Sequence, residues 1–250
     1  MENQNPVFSG IVSLPKRQAR PGGLSVSAMG LGCMGMSEFY GPSDEAQSRD
    51  LLGYAIERGE RFFDTADIYG FGHNETLVGS VLRDHPLRSQ IVLATKGGIL
   101  RDRNDPALRG VNTTPEYIRG AIARSLDRLQ TPIDLYYLHR VEDDGAHIEE
   151  TMAALADEMR AGRIGAVGLS EVSADTIRRA DVALHRFTRD REGLETGCGA
   201  VRILVDDSRS RNEWRARYLH QAGRAAGSLQ SHQPGSAGSC RVFGRSPGRR

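Results

Sequence analysis

The sequence predicts an α/β fold whose parallel strands are arranged as in a barrel, and three observations carry that expectation. Short apolar runs alternate with helical periods over residues 26–184, the runs opening near residues 29, 61, 91, 133 and 164. That spacing is close to the roughly 30 residues a β-α-β unit occupies. The runs are nearly continuous in apolar residues, which is the pattern of strands covered on both faces. Four of them end in one residue able to do chemistry: residues 61–64 in Asp64, 91–95 before Lys96, 133–138 before His139 and 164–169 before Ser170. Parallel strands of a barrel deliver their carboxyl ends to one rim, where such folds keep their active sites.

Taken in order, residues 1–25 read as an irregular lead-in, broken by Pro6, Pro15, Pro21 and the Gly22-Gly23 pair. Residues 27–32 form the first run and continue into Gly30, Gly32 and Gly35, a literal G-x-G-x-x-G. That motif holds a pyrophosphate only where a helix opens on it. Here residues 37–42 read as a loop, so the motif is set aside. Ser43 or Asp44 caps a helix with Leu51, Leu52, Ala55 and Ile56 on one face, closing at Gly59. After the second strand comes a turn holding Tyr69, Gly70 and Gly72, then a helix over 74–82 stopped by Pro86. Residues 97–112 read as a polar loop, and Thr114-Pro115-Glu116 sets an N-cap before a proline at the first helical position. That helix presents Ile118, Ile122, Leu126 and Leu129. Two further helices follow at 148–161 and 174–183.

After residue 184 the rhythm stops. Only residues 200–205 read as a strand, and Gly, Ser, Arg and Gln dominate 223–250, the composition of a disordered tail. Lys and Arg number 20 against 26 Asp and Glu in residues 1–184, but 13 against 6 in residues 185–250. Sixty-six residues remain after 184, where three more barrel units would need roughly 90. The organisation predicted is therefore a lead-in at 1–25, barrel units one to five at 26–184, and a divergent Arg/Gly/Ser-rich tail at 185–250.

Composition narrows the function. A formal net charge of +1 over 250 residues gives no footprint for a nucleic acid or other polyanion partner. No apolar run approaches the roughly 18 residues of a membrane helix, and no secretory pattern opens the chain. Cys33, Cys198 and Cys240 are too far apart for metal-ligand spacing or a disulfide framework, which fits a cytoplasmic protein without a metal. His73 and His85 lack partners at ligand spacing and read as surface residues.

The strand-end residues suit acid catalysis. A free phenol has a pKa of roughly 10 and is a poor acid at neutral pH. A nearby ammonium favours the phenolate and lowers that value, and a carboxylate keeps the ammonium charged and placed. Tyr69, Lys96 and Asp64 supply those parts, and His139 adds a neutral donor for a carbonyl. The set suits protonation of an oxygen that gains negative charge as a carbonyl accepts hydride. The only lysines are Lys16 and Lys96, against 31 arginines, and a guanidinium replaces a compact ammonium poorly. Each residue alone has a plainer reading: Asp64 as a turn cap, Tyr69 as a core aromatic, Lys96 as a surface charge, His139 as a satisfied buried histidine. Ser170 reads equally as an amide-binding hydroxyl or as a helix start. Jointly, the plain readings leave unexplained why polar groups gather at strand ends.

Five segments, GLGCMGMSEFYG, FFDTADIYGFGHNE, LATKGG, DLYYLHR and GRIGAVGLSEVSADTIRRA, resemble those of the aldo-keto reductase family, most nearly its bacterial and plant branch. The resemblance covers roughly residues 24–183. It implies a (β/α)8 TIM-type barrel, NADPH as cofactor and a small-molecule aldehyde or ketone as substrate. It implies a tetrad of Asp64, Tyr69, Lys96 and His139 with Tyr69 the proton donor. Ser170 would hold the nicotinamide carboxamide, Gly32, Cys33 and Met34 would lie beside the nicotinamide ribose, and Asp64 would also bind the cofactor. Family members continue with strands six to eight, an aromatic that stacks on nicotinamide, a loop over the pyrophosphate and a basic stretch for the 2′-phosphate. None of these is legible after Ala183, so the barrel is expected to be incomplete after its fifth unit. A second reading follows: a non-catalytic remnant, truncated or frame-shifted, that carries the tetrad but cannot hold cofactor.

Overall fold

Among the described residues, five helices alternate along the chain with the strands of one seven-stranded sheet. The computed structural model describes residues 14–18, 24–105, 107–189, 203–206 and 239–241. Strands β1 (Lys16–Gln18) and β2 (Ser25–Ser27) form an antiparallel pair, so part of the expected irregular lead-in is ordered as a ribbon. The main sheet takes β3 (Met29–Gly32), β4 (Phe62–Asp64), β5 (Val92–Gly97), β8 (Leu135–Leu138), β9 (Val167–Ser170) and β10 (Ile203–Asp206), all parallel to their neighbours. Strand β11 (Ser239–Arg241) adds antiparallel to β3. Between β5 and β8, the stretch expected as a plain loop carries an antiparallel pair, β6 (Ile99–Arg101) and β7 (Arg109–Val111).

Five helices separate the parallel strands: α1 (Glu45–Glu57), α2 (His73–Leu82), α3 (Pro115–Leu129), α4 (Ile148–Arg160) and α5 (Ala174–Arg189). Asp44 caps α1, its carboxylate accepting from the Gln47 amide at 2.8 Å. Pro115 opens α3, which buries Ile118, Ala121, Ile122 and Leu129 along one stripe. Burying such a side chain fully is worth about 1.5–3 kcal/mol, so the stripe rather than intrinsic propensity holds the helix. Helix α5 runs six residues beyond the expected 183.

These units make an incomplete TIM-type barrel among the described residues: five β/α units and a sixth parallel strand at the expected site of residues 200–205. Tail residues other than 185–189, 203–206 and 239–241 lie outside the described residues, so the expectation of disorder there does too. No described helix is long and apolar enough to cross a membrane. Gly30 and Gly32 lie in β3 and Gly35 in a 3-10 turn, with α1 opening only at Glu45. The G-x-G-x-x-G thus meets no helix amino terminus.

The two faces of the strands decide where side chains go. Phe63, Leu93, Tyr136, Leu138, Val167 and Leu169 join the core under the helices. Phe62, Val92, Ala94, Leu135, Tyr137 and Ala166 form a separate inner cluster, against which Leu24 and Val26 of the amino-terminal ribbon pack. Side chains alternate along a strand. Continuing the inner set by twos therefore reaches Asp64, Lys96, His139 and Ser170. Gly168 belongs to this set because a Cβ there would fall 2.2 Å from Cδ1 of Tyr137.

Candidate active site

The inner faces of four strands end in one polar cluster. Strand pairing puts Asp64 opposite Ala94, and Lys96 opposite Tyr137, two residues before His139. Lys96 is 2% exposed, yet its amine is surrounded by acceptors: Oδ2 of Asp64 at 2.5 Å, the Thr65 carbonyl at 3.0 Å and the Tyr69 hydroxyl at 3.5 Å. The Tyr69 ring meets His139 edge-on, with centroids 5.9 Å apart and planes at 85°.

Burial raises the Asp64 carboxyl above its ordinary value, and the Lys96 ammonium works against that rise. Burial, with Lys96 and Arg140 nearby, pushes the His139 imidazole well below its ordinary range. A buried imidazole beside a cation stays neutral and keeps one N–H to donate. The arrangement combines a phenol next to an ammonium with a neutral imidazole in a setting where charge is weakly screened.

A family model described as Aldo/keto reductase family matches residues 28–192. The chain belongs to the aldo/keto reductase family.

Among known relatives, it is 42% identical over 170 residues to aldo-keto reductase yakc of Schizosaccharomyces pombe, whose name carries NADP(+). The alignment covers 68% of this chain and 49% of that protein. It is 44% identical over 168 residues to probable aldo-keto reductase 1 of Glycine max, covering 66% and 47%. The chain thus spans about half the length of the curated relatives it matches. The holo form of aldo-keto reductase AKR11C1 from Bacillus halodurans superposes with a TM-score of 0.68 at 28% identity, covering 86% of this chain and 65% of that one. The aldo-keto reductase Tm1743, solved with the inhibitor epalrestat, gives a TM-score of 0.59 at 24% identity over 77% and 62% and shares the fold.

The other residues expected at the site lie at the ends of β3 and β9 and in the 3-10 turn after β3. Ser170 is buried at the end of β9, where its Oγ receives Arg140 Nη1 at 3.3 Å. Gly32 faces open space, with nothing within 4 Å of an added Cβ. Cys33 is fully buried in the core under the helices, and burial pushes its thiol up to about 12. With its side chain in the core, Cys33 has only its main chain left for the expected cofactor contact, and its amide already donates to the Asp64 carbonyl at 2.8 Å. Met34 opens the 3-10 turn beside it, half-buried. His73 is exposed and pairs with Ser37 at 2.9 Å, while His85 is half-buried and accepts the Leu87 amide.

Several supporting residues escaped the sequence reading. Asn74, fully buried, donates to the Cys33 carbonyl and to Ser37, both at 2.8 Å, and accepts from Thr65. Glu75, also fully buried, accepts from Thr95 at 2.6 Å and from Arg128 at 2.7 Å. Asp67 donates its amide to the Lys96 carbonyl at 3.0 Å, and burial together with Glu75 pushes its carboxyl up to about 7. The signal for Asn74 and Glu75 was present: two polar residues stand in the first turn of a short helix directly after the glycine-rich turn. Residue type alone did not tell a buried turn from an exposed one.

Proposed function

We propose that this protein reduces an aldehyde or ketone with NADPH, with Tyr69 giving the proton. The observation that carries the reading is the Lys96 amine held between Asp64 and the Tyr69 hydroxyl. The rim fits the nicotinamide end of the cofactor. Asp64 Oδ1 is buried and has no hydrogen-bond partner among the described residues, Ser170 offers a buried hydroxyl, and Gly32 leaves space open. Gly32, Met34, Asp64, Ser170 and the main chain of Cys33 would hold it.

When bound, NADPH supplies hydride to the carbonyl carbon. The chain does the rest. Tyr69 donates its phenolic proton to the carbonyl oxygen as negative charge collects there. Lys96 stabilises the phenolate left behind, and Asp64 keeps Lys96 charged and in place. His139 stays neutral and orients the carbonyl with an N–H. A cytoplasmic location goes with this reading.

One titration tests it. NADPH added to the purified chain should quench intrinsic fluorescence with saturation, and a reactive aromatic aldehyde should then be turned over. Absence of saturable binding overturns the proposal and favours the non-catalytic reading.

A further inference from the structure

The main chain on both sides of Tyr69 is gripped by one ion pair outside the tetrad, Glu38 with Arg101. Arg101, on β6, forms a two-pronged bridge to Glu38, with Nη1 2.9 Å from Oε2 and Nη2 2.6 Å from Oε1. The same Nη1 reaches the carbonyl of Ile68 at 3.3 Å, and Glu38 Oε2 accepts the amide of Gly70 at 3.1 Å. Ile68 and Gly70 flank Tyr69. The turn they enclose needs holding. Gly70, Phe71 and Gly72 have φ of 57°, 56° and 92°, three successive residues in left-handed conformations, one of them not glycine. A non-glycine residue there is strained and persists only where its surroundings impose the conformation. The Phe71 and Phe39 rings lie 4.6 and 5.4 Å from the Arg101 guanidinium.

We infer that Arg101 and Glu38 form a positioning clamp for the proton donor, fixing the Tyr69 hydroxyl relative to the Lys96 amine by holding the main chain on either side of it. A planar guanidinium can bridge the carboxylate and still reach a carbonyl, and an ammonium cannot do both. The clamp joins three segments that lie far apart in sequence: the turns after β3 and after β4, and strand β6. The inference rests on the catalytic reading above only for its effect on turnover.

The test combines three readouts on the full chain and on Arg101→Ala, Arg101→Lys and the milder Glu38→Gln. Amide exchange at Gly70, followed by NMR, should speed up in Arg101→Ala. The titration midpoint of 13Cζ-labelled Tyr69 should move upward in the same variant as the phenol leaves the ammonium. Turnover should fall roughly ten- to hundredfold in kcat, the scale of a misplaced reacting group, with NADPH affinity within twofold and only partial recovery in Arg101→Lys. Unchanged Gly70 exchange and an unmoved Tyr69 titration in a folded Arg101→Ala or Glu38→Gln overturn the clamp. So do moved NMR readouts with full kcat, because the held turn would then not serve proton donation. If the unaltered chain turns over no aldehyde, the catalytic reading fails by itself, and the two NMR readouts still decide whether the clamp positions Tyr69.

Discussion

The amine of Lys96 lies 2.5 Å from Oδ2 of Asp64, while Oδ1 of the same carboxylate is buried without a hydrogen-bond partner among the described residues. Asp64 thus depends on one cation for most of its compensation. Lys96→Met should leave an uncompensated buried charge and cost about 3–5 kcal/mol, whereas Asp64→Asn combined with Lys96→Met should recover much of that loss. Urea denaturation of the two variants beside the parent measures the difference. Equal midpoints for the single and double variants would refute the dependence.

Tyr69→Phe removes only the hydroxyl that stands 3.5 Å from Lys96 Nζ. Turnover of a reactive aromatic aldehyde should drop by about 10²–10⁴-fold, the usual contribution of a positioned acid. NADPH affinity should stay the same, because the hydroxyl is not among the groups proposed to hold the cofactor. Steady-state kinetics and a fluorescence titration separate the two effects.

Asp67 gives the stability profile a definite sign. Its carboxyl is pushed up to about 7 by burial first and Glu75 second, with Arg128 and Arg124 opposing. A carboxyl raised above its unfolded value contributes stability that is complete below about pH 4 and is lost as pH rises through about 7. Asp67→Asn should abolish that contribution. Each pKa unit is worth about 1.4 kcal/mol, so the parent should lose a few kcal/mol relative to the variant between pH 4 and pH 8. Parallel denaturation curves across that range check it; parallel pH profiles of the two proteins would exclude it.

His139 should remain neutral through the physiological range. Burial and the charges of Lys96 and Arg140 all act against its protonation. The ring resonances of His139 should show no titration step between pH 8 and pH 6. A midpoint for His139 near 6.5, the ordinary imidazole value, would remove its role as a neutral donor.

Gly168 makes room for an aromatic ring. A Cβ there meets Cδ1 of Tyr137 at 2.2 Å, on the adjacent strand. Gly168→Ala should therefore cost about 1–3 kcal/mol by overpacking the inner cluster. Pairing it with Tyr137→Leu should reduce the cost, which thermal unfolding of the single and double variants can read.

Much of the order of elements was legible because it depends on local rules. Asp44 capped α1, Pro115 opened α3, and the polar residues at strand ends marked the rim. The β1–β2 and β6–β7 ribbons were not legible. Their strands are three residues long, too short for a two-residue alternation to stand out, and pairing with a partner strand is what orders them.

What the sequence determined by itself was the alternation of strand and helix, the family and the four polar residues Asp64, Tyr69, Lys96 and His139. Each follows from spacing along the chain or from contiguous motifs. Only the tertiary structure decided which face each strand turns inward, that Cys33 points into the core, and that Glu38 and Arg101 reach the two residues beside Tyr69. Those facts depend on strand register and on contacts between segments up to 63 positions apart. Hydrogen bonds and ion pairs act over a few ångströms in space, whatever the distance along the chain.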